Sequence, residues 1–221
     1  MNVLSFGCGI NSMAILVLHE QGKIGLDHVI FADTKCELPE TYEYLEKIVK
    51  PLCRKLKLPF HIVSFGNLYE DYFKRKIMPF RTFRSCTDKY KIRPITKFIK
   101  DQIGKADIFL GIDCGEIKRA TNNKFKYPLI DLGLDREDCK KIIKEADYPI
   151  PNKSGCFFCP FTPFNKWKWL YQNHKDLFEK AIDLEKNCSL YPKRFLSDQG
   201  RSLEKIMKEF KMQRNLLGEK L

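Results

Sequence analysis

N-V-L-S-F-G-C-G-I-N-S-M (2–13) contains a strand, a turn and the start of a helix. Residues 2–6 read as a buried strand, and residues 12–20 carry the apolar spacing of the helix that follows. Gly7 and Gly9 lie between them. Glycines at such a turn let backbone N–H groups approach a phosphate, and the helix N-terminus adds a favourable dipole. Ser5 and Ser12 can add hydroxyl donors, and a branched side chain at Gly9 is expected to fill the anion's approach and to resist a positive φ. No Lys follows the turn, so it is not the G-x-x-x-x-G-K-[ST] loop, nor is it G-x-G-x-x-G. Tight packing is the alternative use of such a turn.

Downstream, H-V-I-F-A (28–32) is a second strand ending at Asp33. Residues 39–56 form an amphipathic helix that Pro51 is expected to kink. Residues 60–65 read as a third strand, 92–103 as a helix, and D-I-F-L-G-I (107–112) as a fourth strand. Strands alternating with helices imply a parallel sheet covered on both faces, an α/β fold expected to have five strands. Ligands of such sheets bind beyond the carboxyl ends of the strands. The glycine turn, Asp33 and residues 111–116 all follow strands and are expected to share one crevice. Residues 166–187 and 201–217 read as polar helices. The expected organisation is an α/β domain over 1–165 and a helical C-terminal extension over 166–221.

The chain has 221 residues, 43% of them hydrophobic, enough for a real core. No apolar run approaches the ~18 residues of a membrane span, and the first residues lead into a strand rather than a signal peptide. A cytoplasmic location is expected, with no membrane partner. Nine cysteines in such a protein are then no disulfide framework, and Cys53, Cys139 and Cys188 read as packing residues. The net charge of +12 is concentrated: residues 72–100 hold ten Lys or Arg against Asp88 alone, with six aromatic residues interleaved. Charges for phosphates and rings for bases suit a nucleic acid. A solvated helix face or a small anionic nucleotide would also use such charges.

Several ordered motifs add a resemblance. S-F-G-C-G-I-N-S (5–12) resembles the PP-loop, S-G-G-x-D-S, of ATP pyrophosphatases and phosphoadenosine phosphosulfate reductases. F-A-D-T-K-C-E-L-P-E-T-Y (31–42) resembles that family's D-T-x-x-x-x-P-E-T block. C-T-D-K-Y-K-I-R-P-I (86–95) is similar to the reductases' C-C-x-x-R-K-x-x-P-L segment and closer to the C-T-x-x-x-K-I-x-P of DNA phosphorothioation sulfurtransferases. G-I-D-C-G-E-I-K-R (111–119), Y-P-L-I-D-L-G (127–133) and S-G-C-F-F-C-P-F (154–161) complete the order, so the resemblance covers about residues 1–165. It implies a HUP-type, Rossmann-like fold of the adenine nucleotide alpha hydrolase-like superfamily. ATP, with Mg²⁺, would be held by Ser5, Phe6, Gly7, Gly9, Asn11, Ser12, Asp33, Thr34, Gly111, Glu116 and Arg119. Asp33 and Arg119 would act in catalysis with Cys86, while Arg84, Lys89, Lys91 and Arg93 would grip phosphates. For Glu116 and Arg119 a surface salt bridge is the plainer reading.

Three departures stand out. Asn11 replaces the PP-loop aspartate and Cys8 a glycine, and Thr87 replaces the second cysteine of the reductases' tandem pair. The given sequence also lacks the Glu-Cys-Gly that carries the reductase nucleophile. Packing is the expected role of Cys8, with reactivity as the alternative.

Thiolates from two distant segments, Cys86 and the pair Cys156 and Cys159, suit a soft metal or an iron–sulfur cluster. A C-x-x-C by itself also fits redox chemistry or zinc, with Cys36 or Cys114 as a fourth zinc ligand. The resemblance favours a 4Fe–4S cluster on Cys86, Cys156 and Cys159 with one open iron. The expected function is ATP-dependent adenylation and sulfur transfer to a nucleic acid, tRNA or DNA. The sulfur donor would be a cysteine desulfurase or sulfide, and a homodimer is possible. The alternatives are a phosphoadenosine phosphosulfate or adenosine phosphosulfate reductase using an external thiol, and a cluster-stabilised nucleotide hydrolase or nucleic-acid-binding accessory protein.

Overall fold

A computed structural model describes residues 1–82, 85–190, 194–197 and 199–216. They divide into two compact units, one of residues 1–66 with 89–154 and the other of residues 67–88 with 155–221. Where the sequence suggests one cut near residue 165, each unit is assembled from two separated stretches of chain.

The first unit is built on β1 (Asn2–Phe6), β2 (His28–Ala32), β3 (Phe60–Val63), β4 (Asp107–Leu110) and β5 (Phe125–Lys126). All pairings are parallel, in the order β3-β2-β1-β4-β5, with β1 central. This is the Rossmann-like α/β sheet that the pattern predicts. Alternation along each strand sorts the side chains to two faces. Leu4, Phe6, Val29 and Phe31 join a core with Met13, Ile15, Leu16, Leu45, Val49, Leu129 and Ile143. Val3, Ile30 and Ala32 point the other way and pack with Ile95 and Ile99. Cys53 and Cys139 are buried in the first core, and burial pushes each thiol up to about 12, in keeping with packing roles.

The helix expected over 39–56 is three segments: Pro39–Tyr44, a π-helical Leu45–Val49, and Lys50–Lys55 with Pro51 in its first turn. A second π-helical stretch, Asp88–Ile92, precedes Pro94 in the helix Arg93–Phe98. A proline ring crowds the carbonyl four residues back and offers no N–H, and a wider turn relieves both problems.

The second unit is helical, with Leu68–Lys74, Ser85–Thr87, Phe164–Asn173, Lys175–Asn187 and Leu203–Leu216. The backbone leaves the helical region at His174 (φ −140°), so the helix expected over 166–187 is two. Trp167 and Phe178 are fully buried. Phe178 meets Trp167, Tyr171 and Phe210 at centroid distances of 6.1, 5.5 and 6.4 Å. Glu185 accepts bonds from Leu196 N at 2.8 Å and Leu203 N at 2.7 Å, fastening the segment between the last two helices. No helix among the described residues is long and apolar enough to cross a membrane.

Candidate nucleotide site and cysteine segment

Because the strands are parallel, the loops after Phe6, Ala32, Val63 and Leu110 leave the same edge of the sheet. The first loop ends in the helix Ile10–Glu20, whose N-cap is Gly9. A helix leaves its first N–H groups without intrahelical acceptors, so an anion there meets donors and the positive end of the dipole. Ser12 closes a capping box: its hydroxyl donates to Gly9 O at 3.0 Å and accepts from Gly9 N at 3.2 Å. Its hydroxyl hydrogen is therefore engaged within the turn. Ser5 lies in β1, paired with β2 and β4, and Phe6 packs into the core below the loop.

The backbone of the turn corrects one expectation. Gly9 is extended (φ −109°), and the residue with positive φ is Cys8 at 54°. A Cβ on Gly9 would sit 3.3 Å from Ser154 Oγ, and one on Gly7 would meet nothing within 4 Å. The close approach is instead at Gly111, after β4, where a Cβ would lie 2.8 Å from Ser12 N and 3.1 Å from Asn11 C. Only glycine lets the end of β4 lie against the start of this helix. Cys8 is 2% exposed, its Sγ is 3.7 Å from Thr41 O, and burial with the nearby Glu37 charge pushes the thiol up to about 12. A thiol held protonated in this way packs rather than attacks.

Asn11 joins the loop to the end of β4. Its Nδ2 donates to Gly111 O at 3.2 Å and to Asp113 Oδ2 at 2.9 Å, while its buried Oδ1 has no partner. An amide suits this position, because Asp113 is 2% exposed and a carboxylate at residue 11 would face it with like charge. Asp113 Oδ1 also caps the 3₁₀ turn Cys114–Arg119 through Glu116 N. Arg119 pairs with Glu116 at 2.6 Å on an exposed surface, the plainer of its two readings.

At the end of β2, Asp33 is buried and heavily used. Its Oδ1 accepts from Lys35 N at 2.8 Å and Tyr42 Oη at 2.9 Å, and Lys35 Nζ lies 2.9 Å from Oδ2. Burial and this bond to Asp33 push the Tyr42 hydroxyl far up. Lys35 takes a positive φ of 61° to close the turn, and Thr34 is buried beside it. Sequence reasoning missed Glu37, whose side chain is 1% exposed, pairs with Lys91 at 3.1 Å through Oε1 and has no partner at Oε2. Its only signal was an acidic residue between Cys36 and Leu38 in the D-T-K-C-E-L-P segment (33–39) that follows the strand. Lys91, expected at a phosphate, thus donates to a buried carboxylate. The Lys89 ammonium lies over Phe65 and Tyr90 at 4.9 and 5.3 Å, and Arg93 is exposed. Arg84 lies outside the described residues.

The nucleotide loop and the three cysteines belong to different units: residues 5–12, 33–37 and 111–119 to the first, Cys86, Cys156 and Cys159 to the second. Cys36 and Cys114, the candidate fourth ligands, are in the first. Cys159 N donates to Cys156 O at 3.0 Å, closing the C-x-x-C turn, and all three thiols are partly exposed.

A family model for the phosphoadenosine phosphosulfate reductase domain matches residues 1–120. The chain belongs to this family. It is also similar to the uncharacterized nin region protein ORF290 of Escherichia phage lambda, with 30% identity over 189 residues covering 72% of the chain. The match spans 65% of that relative's length.

Membership makes the chain a nucleotide-binding PP-loop protein, and the matched region contains the loop, Asp33 and Gly111–Arg119. The cluster is a separate matter. A C-x-x-C turn suits two ligands of one centre, and Cys86 shares its unit. Yet among the described residues no three His, Cys, Asp or Glu side chains converge as a metal site. As arranged, the thiols do not form a ligand set.

Proposed function

We propose that this chain uses ATP to adenylate a group on a nucleic acid, preparing that group for replacement by sulfur. An oxygen of the acceptor attacks the α-phosphorus, the bond to the bridging oxygen breaks, and pyrophosphate leaves. A sulfur nucleophile, from a cysteine desulfurase or sulfide, then displaces AMP at the activated position. The reading is carried by the Gly7–Gly9 turn at a parallel strand end, opening into the N-terminus of the helix Ile10–Glu20. Phosphate oxygens would meet the first-turn N–H groups there, and Gly111 keeps that turn fixed. Asp33, locked by Lys35 and Tyr42, holds the neighbouring loop in shape. Mg²⁺ bound with the nucleotide would neutralise charge on the leaving pyrophosphate.

A nucleic-acid acceptor is favoured by the basic and aromatic 72–100 segment, where Arg93 is exposed and Lys89 sits on two rings. We separately propose a 4Fe–4S cluster on Cys86, Cys156 and Cys159, supported by their ordered motifs and shared unit; it requires the three thiols, which do not converge as arranged, to draw together on the metal. Iron and sulfide should copurify under anaerobic conditions, and zinc alone would refute it.

Pyrophosphate release from ATP, measured with and without tRNA or DNA, tests the function. Nucleic-acid-stimulated release is expected. The rival is a sulfonucleotide reductase, favoured by the family match alone. Sulfite from phosphoadenosine phosphosulfate with a thiol donor, and no pyrophosphate release, would decide for that rival.

A further inference from the structure

The strand order places a crevice between the loops that follow β1 and β4. From β1 the chain runs outward through β2 and β3, then crosses to β4 and β5 on the other side. Ligands of parallel sheets bind where the order reverses in this way. Asn11 stands on one side of that crevice and Asp113 on the other, joined by the 2.9 Å bond from Asn11 Nδ2 to Asp113 Oδ2. Both side chains are buried.

Capping the 3₁₀ turn Cys114–Arg119 needs one oxygen of Asp113, Oδ1, which accepts from Glu116 N at 3.1 Å. The second oxygen is used across the crevice, on residue 11. Gly115 makes room for the carboxylate, since a Cβ there would lie 3.2 Å from Oδ1. On another side, Asp113 acts on the helix Arg136–Glu145. There burial and the charges of Asp113, Asp138 and Asp135 push the Cys139 thiol up to about 12, with Arg136 opposing them. The bond to Asn11 also dictates how its amide is turned. Nδ2 serves Asp113 and Gly111 O, and Oδ1 keeps no partner. A bond to a carboxylate is stronger than a neutral one. Asn11 is the second residue of the helix Ile10–Glu20, so a bond that fixes it fixes the turn whose N–H groups would meet the phosphates.

We propose that Asp113 is a positioning residue of the nucleotide turn, supplying from the loop after β4 the carboxylate that the PP-loop pattern places at residue 11. The charge has changed sides of the crevice, and Asn11 supplies the amide that meets it. The inference rests on the reading of this turn as the phosphate site of a nucleotide.

The test is calorimetric binding of ATP with Mg²⁺ to Asp113→Asn, Asn11→Asp and the exchange Asn11→Asp/Asp113→Asn. Each is compared with wild type at the same pH between about pH 5 and pH 9, and thermal unfolding establishes that each is folded. Asp113→Asn leaves one acceptor oxygen for two donors, so ATP affinity should fall roughly tenfold at every pH. Asn11→Asp sets two buried carboxylates against each other, and such a pair shares one proton where the medium supplies it. Its affinity should approach wild type at the acidic end and fall as pH rises and the shared proton leaves. The exchange restores one amide and one carboxylate, so it should remove that pH dependence and regain most of the affinity. It should stop short of wild type, because a carboxylate at residue 11 has no N–H for Gly111 O. Wild-type affinity in folded Asp113→Asn would overturn the proposal. So would losses that track thermal stability and are not relieved by the exchange, because a simple turn cap behaves in that way. If the pattern holds but wild type releases no pyrophosphate from ATP, the adenylation reading fails and Asp113 keeps its role. Should phosphoadenosine phosphosulfate bind in place of ATP, the same series on that nucleotide decides by the same outcomes. A wild type that binds neither would overturn both readings.

Discussion

The sheet unit and the helical unit are built by different means. In the first, aliphatic side chains alternate along short strands, and each face of the sheet meets its own helices. In the second, aromatic rings from Tyr69, Phe157, Phe158, Trp167, Phe178 and Phe210 meet at varied angles, and the segments that supply them lie far apart in the chain. Periodic burial leaves a mark in the sequence because its spacing is fixed by backbone geometry. Irregular aromatic packing depends on shape alone and leaves none. The polar groups differ as well. Asp33, Asn11 and Asp113 tie the strand-end loops to one another, whereas Glu185 holds two backbone N–H groups between helices.

The largest effect should come from the aromatic core. Phe178→Ala should cost about 3–5 kcal/mol. Both tryptophans, Trp167 and Trp169, belong to the helical unit, so their fluorescence reports on it. The fluorescence-detected midpoint should fall while ATP binding at lower temperature persists. Simultaneous loss of both would erase the distinction between the units.

Gly111→Ala attacks the other unit at the junction of β4 and the nucleotide turn. Its Cβ meets backbone rather than a flexible side chain, so a cost of about 1–3 kcal/mol is expected. Displacing Ser12 N should also weaken ATP roughly tenfold, as calorimetry would reveal. Gly9→Ala should be milder, because its neighbour is the Ser154 hydroxyl. Equal effects of the two would contradict the placement of the close contact.

Replacing Glu185 by Ala leaves two backbone donors without their acceptor, costing roughly 1–3 kcal/mol. Burial raises the Glu185 carboxyl above its ordinary value. The native state therefore binds more protons than the unfolded chain between those two values, and stability falls as pH rises through that window. Glu185→Gln should flatten this part of the stability–pH curve, measured by urea unfolding. The smallest effect belongs to Arg119→Ala, since an exposed i,i+3 pair contributes only about 0.2–0.5 kcal/mol. A large fall in turnover with that small loss of stability would give Arg119 a role in the reaction beyond its salt bridge.

Much of the sheet unit was legible. The strands at 2–6 and 28–32 and the positions of Cys53 and Cys139 followed from apolar spacing. The two-residue β5 was not, because so short a strand carries no periodicity. Nor were the π-helical turns before Pro51 and Pro94, where the sequence indicated only a kink. Within the site, the glycine turn was visible, but its strained residue is Cys8 and its tightest contact Gly111. The Gly111 contact depends on how β4 meets a helix about a hundred residues earlier.

From the sequence alone came the parallel α/β order, the nucleotide turn and its family, because strand alternation, glycine placement and ordered motifs are local features of the chain. Tertiary structure decided which groups the turn holds in place. Ser12 is spent on its cap, Asn11 on Asp113, Asp33 on Lys35 and Tyr42, and Lys91 on Glu37. It also decided that Cys86 belongs with Cys156 and Cys159 in one unit. The reason is physical: a hydrogen bond or an ion pair depends on distances of about 3 Å between atoms, and residues distant in sequence acquire those distances only when the chain folds.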